Sequence, residues 1–118
     1  MEGYVKSGSA SIYYEIFGEE NKEVVVLLHG NGESGKHFKK IIPHLSDKYK
    51  VLVIDSRGHG NSDFGGSQLS LGTMAVDLVN VLESLGLNKV NIVGFSDGAN
   101  IAMLTAIKNS DVVKKAVL

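Results

Sequence analysis

Val90-Asn91-Ile92-Val93-Gly94-Phe95-Ser96-Asp97-Gly98-Ala99 is the stretch whose reading decides the fold. A short, mostly β-branched run ends in a serine between two glycines, and an apolar helical pattern over residues 99–107 begins at once. That order predicts a strand, a sharp turn and a helix. A serine on such a turn is held with strained backbone, and its hydroxyl projects above the sheet. Side chains two positions to either side would collide where strand and helix close together, and Gly94 and Gly98 meet that demand. The helix start also offers N–H groups and a positive dipole end to developing negative charge. Ser96 is therefore the candidate nucleophile. The competing reading is a serine in an ordinary tight strand-to-helix turn.

Working outward, residues 24–28, 51–54 and 112–118 are further apolar runs without alternation, which suits parallel strands covered on both faces. Residues 3–17 read differently. Ile12, Tyr14 and Ile16 alternate with Ser11, Tyr13 and Glu15, and Ser7-Gly8-Ser9 supplies a turn, so a hairpin is expected. Phe38, Ile41, Ile42 and Leu45 follow helical spacing, with Pro43 expected to disturb that helix near its end. Leu71, Met74, Ala75, Leu78, Leu82 and Leu85 form a longer stripe, with Ser70 as N-cap and Gly86 as its stop. Residues 99–107 are apolar almost all round, which predicts a buried helix. The order predicts an α/β fold: an N-terminal hairpin followed by a mostly parallel sheet with helices on both faces.

Composition narrows the function classes. At 118 residues, with 43% hydrophobic and 21% charged residues, the chain suits one globular domain and not a disordered segment. A net charge of −1 without a basic cluster points to neither nucleic acid nor an anionic membrane. The absence of cysteine excludes disulfides, thiol catalysis and Cys-ligated metal. The start, Met1-Glu2-Gly3-Tyr4-Val5-Lys6, is polar, and the longest aliphatic run is the five residues 24–28. A soluble, cytoplasmic protein without cofactor or metal is the expectation.

The glycine loop after the first parallel run admits three readings. Gly30, Gly32 and Gly35 spell G-x-G-x-x-G, and Asp55 lies 20 residues past Gly35, as in a dinucleotide fingerprint. Gly30, Gly35 and Lys36 also spell most of a phosphate-binding P-loop. That version fails at His37, where a Ser or Thr hydroxyl is needed for Mg²⁺. The dinucleotide version has no such local flaw, but it leaves His29, the segment after Asp55 and the turn at Ser96 unexplained. A plain glycine-rich turn is the third reading.

Three segments taken in order resemble the α/β-hydrolase superfamily of serine esterases and lipases. His29-Gly30 ends the first parallel run, Asp55-Ser56-Arg57-Gly58-His59-Gly60-Asn61-Ser62 follows the next, and Gly94-Phe95-Ser96-Asp97-Gly98 is similar to the family's nucleophile elbow. The resemblance spans essentially residues 1–118 and implies a single domain, the N-terminal portion of such a core, with cap and C-terminal half outside it. It implies a hydrolase acting on small esters or related acyl substrates, with Ser96 as nucleophile. The backbone N–H groups of Asn31 and Asp97 are implied as the oxyanion hole. Gly94 and Gly98 shape the elbow, and His29, Gly30, Asp55 and Arg57 are implied to organise the loops.

The family's order is nucleophile, acid, histidine. After Ser96 the chain offers only Asp97 and Asp111 as carboxylates and no histidine; His29, His37, His44 and His59 all lie upstream. His59 lies in a loop at the same edge of the sheet, but nothing places an acid behind it. His37, His44 and His59 read as solvated or structural. Residues 1–118 alone are therefore expected to be nearly inactive. An apolar strand edge at 112–118 predicts a homodimer or association with a C-terminal half. Two other classes stay open: a non-catalytic relative that binds a ligand or partner, and a nucleotide-binding α/β domain.

Overall fold

Alternation at the N-terminus produces a hairpin. In the computed structural model, which describes residues 1–30, 32–63 and 70–117, β1 (Glu2–Ser7) pairs antiparallel with β2 (Ala10–Phe17). Ala10, Ile12, Tyr14 and Ile16 are buried along β2, as period-two spacing requires. Four strands follow: β3 (Val24–Leu28), β4 (Lys50–Ile54), β5 (Val90–Gly94) and β6 (Val113–Val117). They complete a six-stranded sheet in the order β1-β2-β4-β3-β5-β6. β2 meets β4 antiparallel, whereas β4, β3, β5 and β6 run parallel.

Cover on both sides explains the unalternating runs of β3 and β4. By contrast, β5 buries alternate residues and β6 is mostly exposed, so the two-sided cover expected over 112–118 does not hold among the described residues. Val24, Val26 and Leu28 of β3 pack with Met74, Leu78, Val81 and Leu82 of α2 (Leu71–Ser84) and with Ile101 and Ala102 of α3 (Asp97–Lys108). Val25 and Leu27 face the other way, with Val51 and Val53 of β4, against Phe38 and the flanking Ile42 and Leu45. Full burial of one such side chain contributes about 1.5–3 kcal/mol. Two-sided burial therefore makes β3 and β4 the centre of the fold.

The helices sharpen the sequence picture and correct it twice. Ser70 caps α2 through its Oγ, which accepts the Thr73 N–H at 3.1 Å, and Gly86 follows the helix with φ +68°. The stretch around Pro43 is two short pieces, not one helix. A single 3-10 turn, Gly35–Phe38, precedes α1 (Ile42–Ser46), and Pro43 sits in the first turn of α1, where its missing N–H costs nothing. Pro43 begins a helix here and does not disturb the end of one. In α3 only one face is covered. Gly98, Ile101, Ala102 and Thr105 are buried, but Met103 is 44% and Ile107 71% exposed, so the all-round burial expected of this helix does not hold. Among the described residues no helix is long and apolar enough to cross a membrane.

Candidate active site

Parallel pairing brings the carboxyl ends of β3, β4 and β5 to one edge, with Leu28 beside both Ile54 and Gly94. The turn after β5 carries Ser96 at φ +56°, ψ −117°, a conformation that costs a non-glycine residue about 1–3 kcal/mol. The surrounding backbone holds it there. Phe95 N–H donates to Leu28 O at 3.1 Å, Gly98 N–H to Phe95 O at 2.8 Å, and Ala99 N–H to Ser96 O at 3.0 Å. A Cβ on Gly94 would collide with the Gly98 carbonyl, and one on Gly98 with the Leu28 carbonyl. The two glycines are thus required by close approach of strand and helix. Ser96 is exposed, and its side chain does not cap α3. Among the described residues neither its Oγ nor the Asp97 N–H has a hydrogen-bond partner.

His29, at the end of β3, is buried and fully committed. Its Nδ1 lies 2.7 Å from Gly30 O, and its Nε2 accepts the Ser56 N–H at 2.9 Å. The proton therefore sits on Nδ1 and the ring is neutral. Burial pushes its pKa below the ordinary 6.5. It clasps the turn after β3 to the loop after β4. His59 stacks obliquely on it at 5.1 Å, with Nδ1 3.0 Å from Arg57 O. His37 Nδ1 lies 3.0 Å from Glu33 Oε2, and His44 is exposed on α1. Among the described residues no histidine hydrogen-bonds Ser96. Asn31, the other oxyanion donor implied by the sequence, lies outside the described residues.

Asp55 belongs to the same loop system. Its carboxylate accepts the Gly35 N–H at 2.7 Å and the Asn61 N–H at 2.9 Å, joining the 3-10 turn to the loop after β4. Both oxygens are thereby engaged, and the glycine loop opens only a four-residue 3-10 turn. A dinucleotide site needs a free acidic side chain and a helix N-terminus of some length, so this geometry does not favour nucleotide binding. Ser62 Oγ accepts the Tyr13 N–H at 2.7 Å and donates to Asp55 O, tying the loop to β2. Among the described residues no group of three potential metal ligands occurs.

Arg57 is buried and doubly bonded to Asp77 of α2, through Nε at 2.9 Å and Nη2 at 2.8 Å, while Nη2 also reaches Ser7 O at 2.9 Å. The Asp77 hydrogen bonds raise the Arg57 pKa above its ordinary value. Ser7 Oγ donates to Asp77, and Asn80 Nδ2 donates to Ser7 Oγ at 2.9 Å. Sequence reasoning missed Asp77, although the signal was present: it is a carboxylate inside the apolar stripe of α2, between Met74 and Leu78. It also missed a cluster beside the elbow in which Phe95 meets Phe38 at 5.7 Å and His37 at 5.6 Å.

Residues 23–118 match the sequence profile of the alpha/beta hydrolase fold. Epoxide hydrolase 4 of Mus musculus is 29% identical over 116 residues, covering 97% of this chain and 32% of that protein. The sn-1-specific diacylglycerol lipase ABHD11 of Danio rerio is 33% identical over 111 residues, covering 92% of this chain and 35% of that protein. The solved structure of an esterase from Exiguobacterium antarcticum superposes with a TM-score of 0.90 at 29% identity, covering 98% of this chain and 44% of that one. The chain thus spans about a third of the length of the curated relatives it matches.

Proposed function

The chain belongs to the alpha/beta hydrolase fold family, and from that premise we propose that Ser96 is the nucleophile of a hydrolase acting on small esters or related acyl substrates. One observation carries the reading: a non-glycine residue at φ +56° between β5 and α3, flanked by two glycines whose Cβ positions are already filled by backbone. Strain of this kind persists only where the surroundings over-determine it, and here it leaves a hydroxyl exposed at the carboxyl edge of the sheet. The lipase and the esterase among the similar proteins are consistent with an acyl substrate, while the epoxide hydrolase among them supports hydrolase chemistry in general.

In the proposed reaction Ser96 Oγ attacks the acyl carbon, its proton passes to a base, and the carbonyl oxygen becomes an oxyanion. The Asp97 N–H at the start of α3 is one donor to that oxygen, and the Asn31 N–H is the other. One such donor is worth about 3–4 kcal/mol in the transition state. His29 is unsuited to be the base, because both its nitrogens are engaged. Residues 97–118 contain no histidine, so we assign the base and its carboxylate to polypeptide outside residues 1–118. Residues 1–118 alone are accordingly proposed to turn esters over very slowly. The free side of β6 and the exposed flank of α3 are proposed to associate with a second copy or with a C-terminal half. Size-exclusion chromatography showing only a monomer at high concentration would oppose that association.

A fluorophosphonate probe tests the central claim. The expected result is one labelled site at Ser96, lost in Ser96→Ala. Labelling elsewhere, or none in a protein containing the whole family core, would overturn it. Ligand binding that survives Ser96→Ala without any ester turnover would favour a non-catalytic role.

A further inference from the structure

Glu33 is exposed, yet both oxygens of its carboxylate are engaged. Oε1 accepts the Gly30 N–H at 3.1 Å, and Oε2 lies 3.0 Å from His37 Nδ1. The Glu33 N–H in turn donates to Gly30 O at 3.2 Å, so residues 30 and 33 are joined by backbone and side chain together. Gly30 lies against the elbow: a Cβ built there stands 3.2 Å from Ser96 Cβ and 3.4 Å from Phe95 O. On the other side, the His37 ring meets Phe95 edge-on with centroids 5.6 Å apart, and Phe95 immediately precedes Ser96. The contacts close a ring from Gly30 through Glu33, His37 and Phe95 to Ser96 and back to Gly30.

We propose that Glu33 is a positioning residue for the chemistry assigned to Ser96, bridging Gly30 and His37 so that the chain leaving β3 is held at a fixed distance from the serine. This rests on Ser96 being the nucleophile. A carboxylate–imidazole contact whose two side chains are 40% and 42% exposed adds little to folding stability. What Glu33 does touch is the Gly30 N–H, on a residue packed against the elbow, and His37, whose ring meets Phe95 of the elbow itself. Small displacements beside a reacting group cost rate out of proportion to their cost in stability. Glu33 therefore separates the two quantities.

The test uses Glu33→Ala, which removes both contacts, and Glu33→Gln, which keeps an acceptor for Gly30 N–H and a donor toward His37. Amide exchange at Gly30, the rate of fluorophosphonate labelling at Ser96 and the urea midpoint are measured together in a protein containing the whole family core, where the base assigned outside residues 1–118 is present. In Glu33→Ala, exchange at Gly30 is expected to rise and labelling to fall, each about threefold to tenfold, with the urea midpoint unchanged. Glu33→Gln is expected to restore most of both. Unchanged Gly30 exchange and labelling in Glu33→Ala would overturn the proposal, as would a Gln variant no better than Ala. If native Ser96 takes no label, that result counts against the nucleophile, while exchange at Gly30 still decides whether the bridge exists.

Discussion

The two margins of the sheet are built on different principles. At the first, β1 and β2 lie under α2, and the contact is locked by buried polar groups: Arg57, Asp77 and Ser7 satisfy one another at 2.9 Å or less. At the second, β6 pairs only with β5 among the described residues, and Met103, Ile107 and Val117 remain exposed. The loop that carries Asp55, Arg57 and His59 is anchored to the first margin. The elbow with Ser96 opens the helix that borders the second. Rigidity and candidate chemistry are therefore supplied from opposite sides, and they meet where His29 and Asp55 clasp the loops together and where α2 packs against α3 in the core.

The largest expected effect tests the first margin. Arg57→Ala leaves the Asp77 carboxylate buried without its cation, and breaking such a pair costs about 3–5 kcal/mol. Urea denaturation should show most of that loss, and the Asp77→Ala variant should cost a similar amount. Arg57→Ala combined with Asp77→Ala should cost much less than the sum of the two. If Arg57→Ala moves stability by less than about 0.5 kcal/mol, the contrast between the margins fails.

The next effect has the opposite sign. Glycine accepts φ +56°, ψ −117° with little strain, so Ser96→Gly should stabilise the protein by about 1 kcal/mol while abolishing labelling. Ser96→Ala should abolish labelling without the gain in stability, because Ala keeps a Cβ. Equal stabilities for the Gly and Ala variants would show that the elbow stores no strain.

These two sites also show how far the sequence could be read. The elbow was legible because its constraints are local: two glycines four positions apart, a strand before them and a helix after. The two-sided strands were legible because burial removes alternation from their own residues. Asp77 was not, because its partner lies 20 positions away and only the packing of α2 on β1 brings them together. The exposed flank of α3 was misread for a related reason. Periodicity reports how apolar Met103 and Ile107 are, but not whether anything lies opposite them. Likewise a proline within helical spacing can start one helix or break another, and only the separate 3-10 turn at Gly35–Phe38 shows that Pro43 starts α1.

A smaller effect follows from the clasp. His29 has a folded-state pKa below the ordinary 6.5, so the unfolded chain binds its proton more readily than the native one. Stability from this group is full above pH 6.5 and is lost as pH falls from there toward the folded-state value. Thermal midpoints between pH 7 and pH 5 should decline for the native protein and stay flatter for His29→Gln. Identical slopes would mean that burial does not hold His29 neutral in the folded protein.

The smallest effect belongs to the second margin. Ile107 is 71% exposed on α3, so Ile107→Lys removes little buried area and should change the urea midpoint of the monomer by no more than about 0.5 kcal/mol. Its consequence should appear in association. A charge placed on this flank opposes the burial that a second chain would require, whereas the same change on a surface already content with water does nothing. Sedimentation of native and variant protein across a concentration series separates the two cases. A native protein that self-associates and an Ile107→Lys variant that does not would mark the flank as a contact surface. Equal sedimentation would leave α3 an ordinary exposed helix and confine the contrast between the margins to stability.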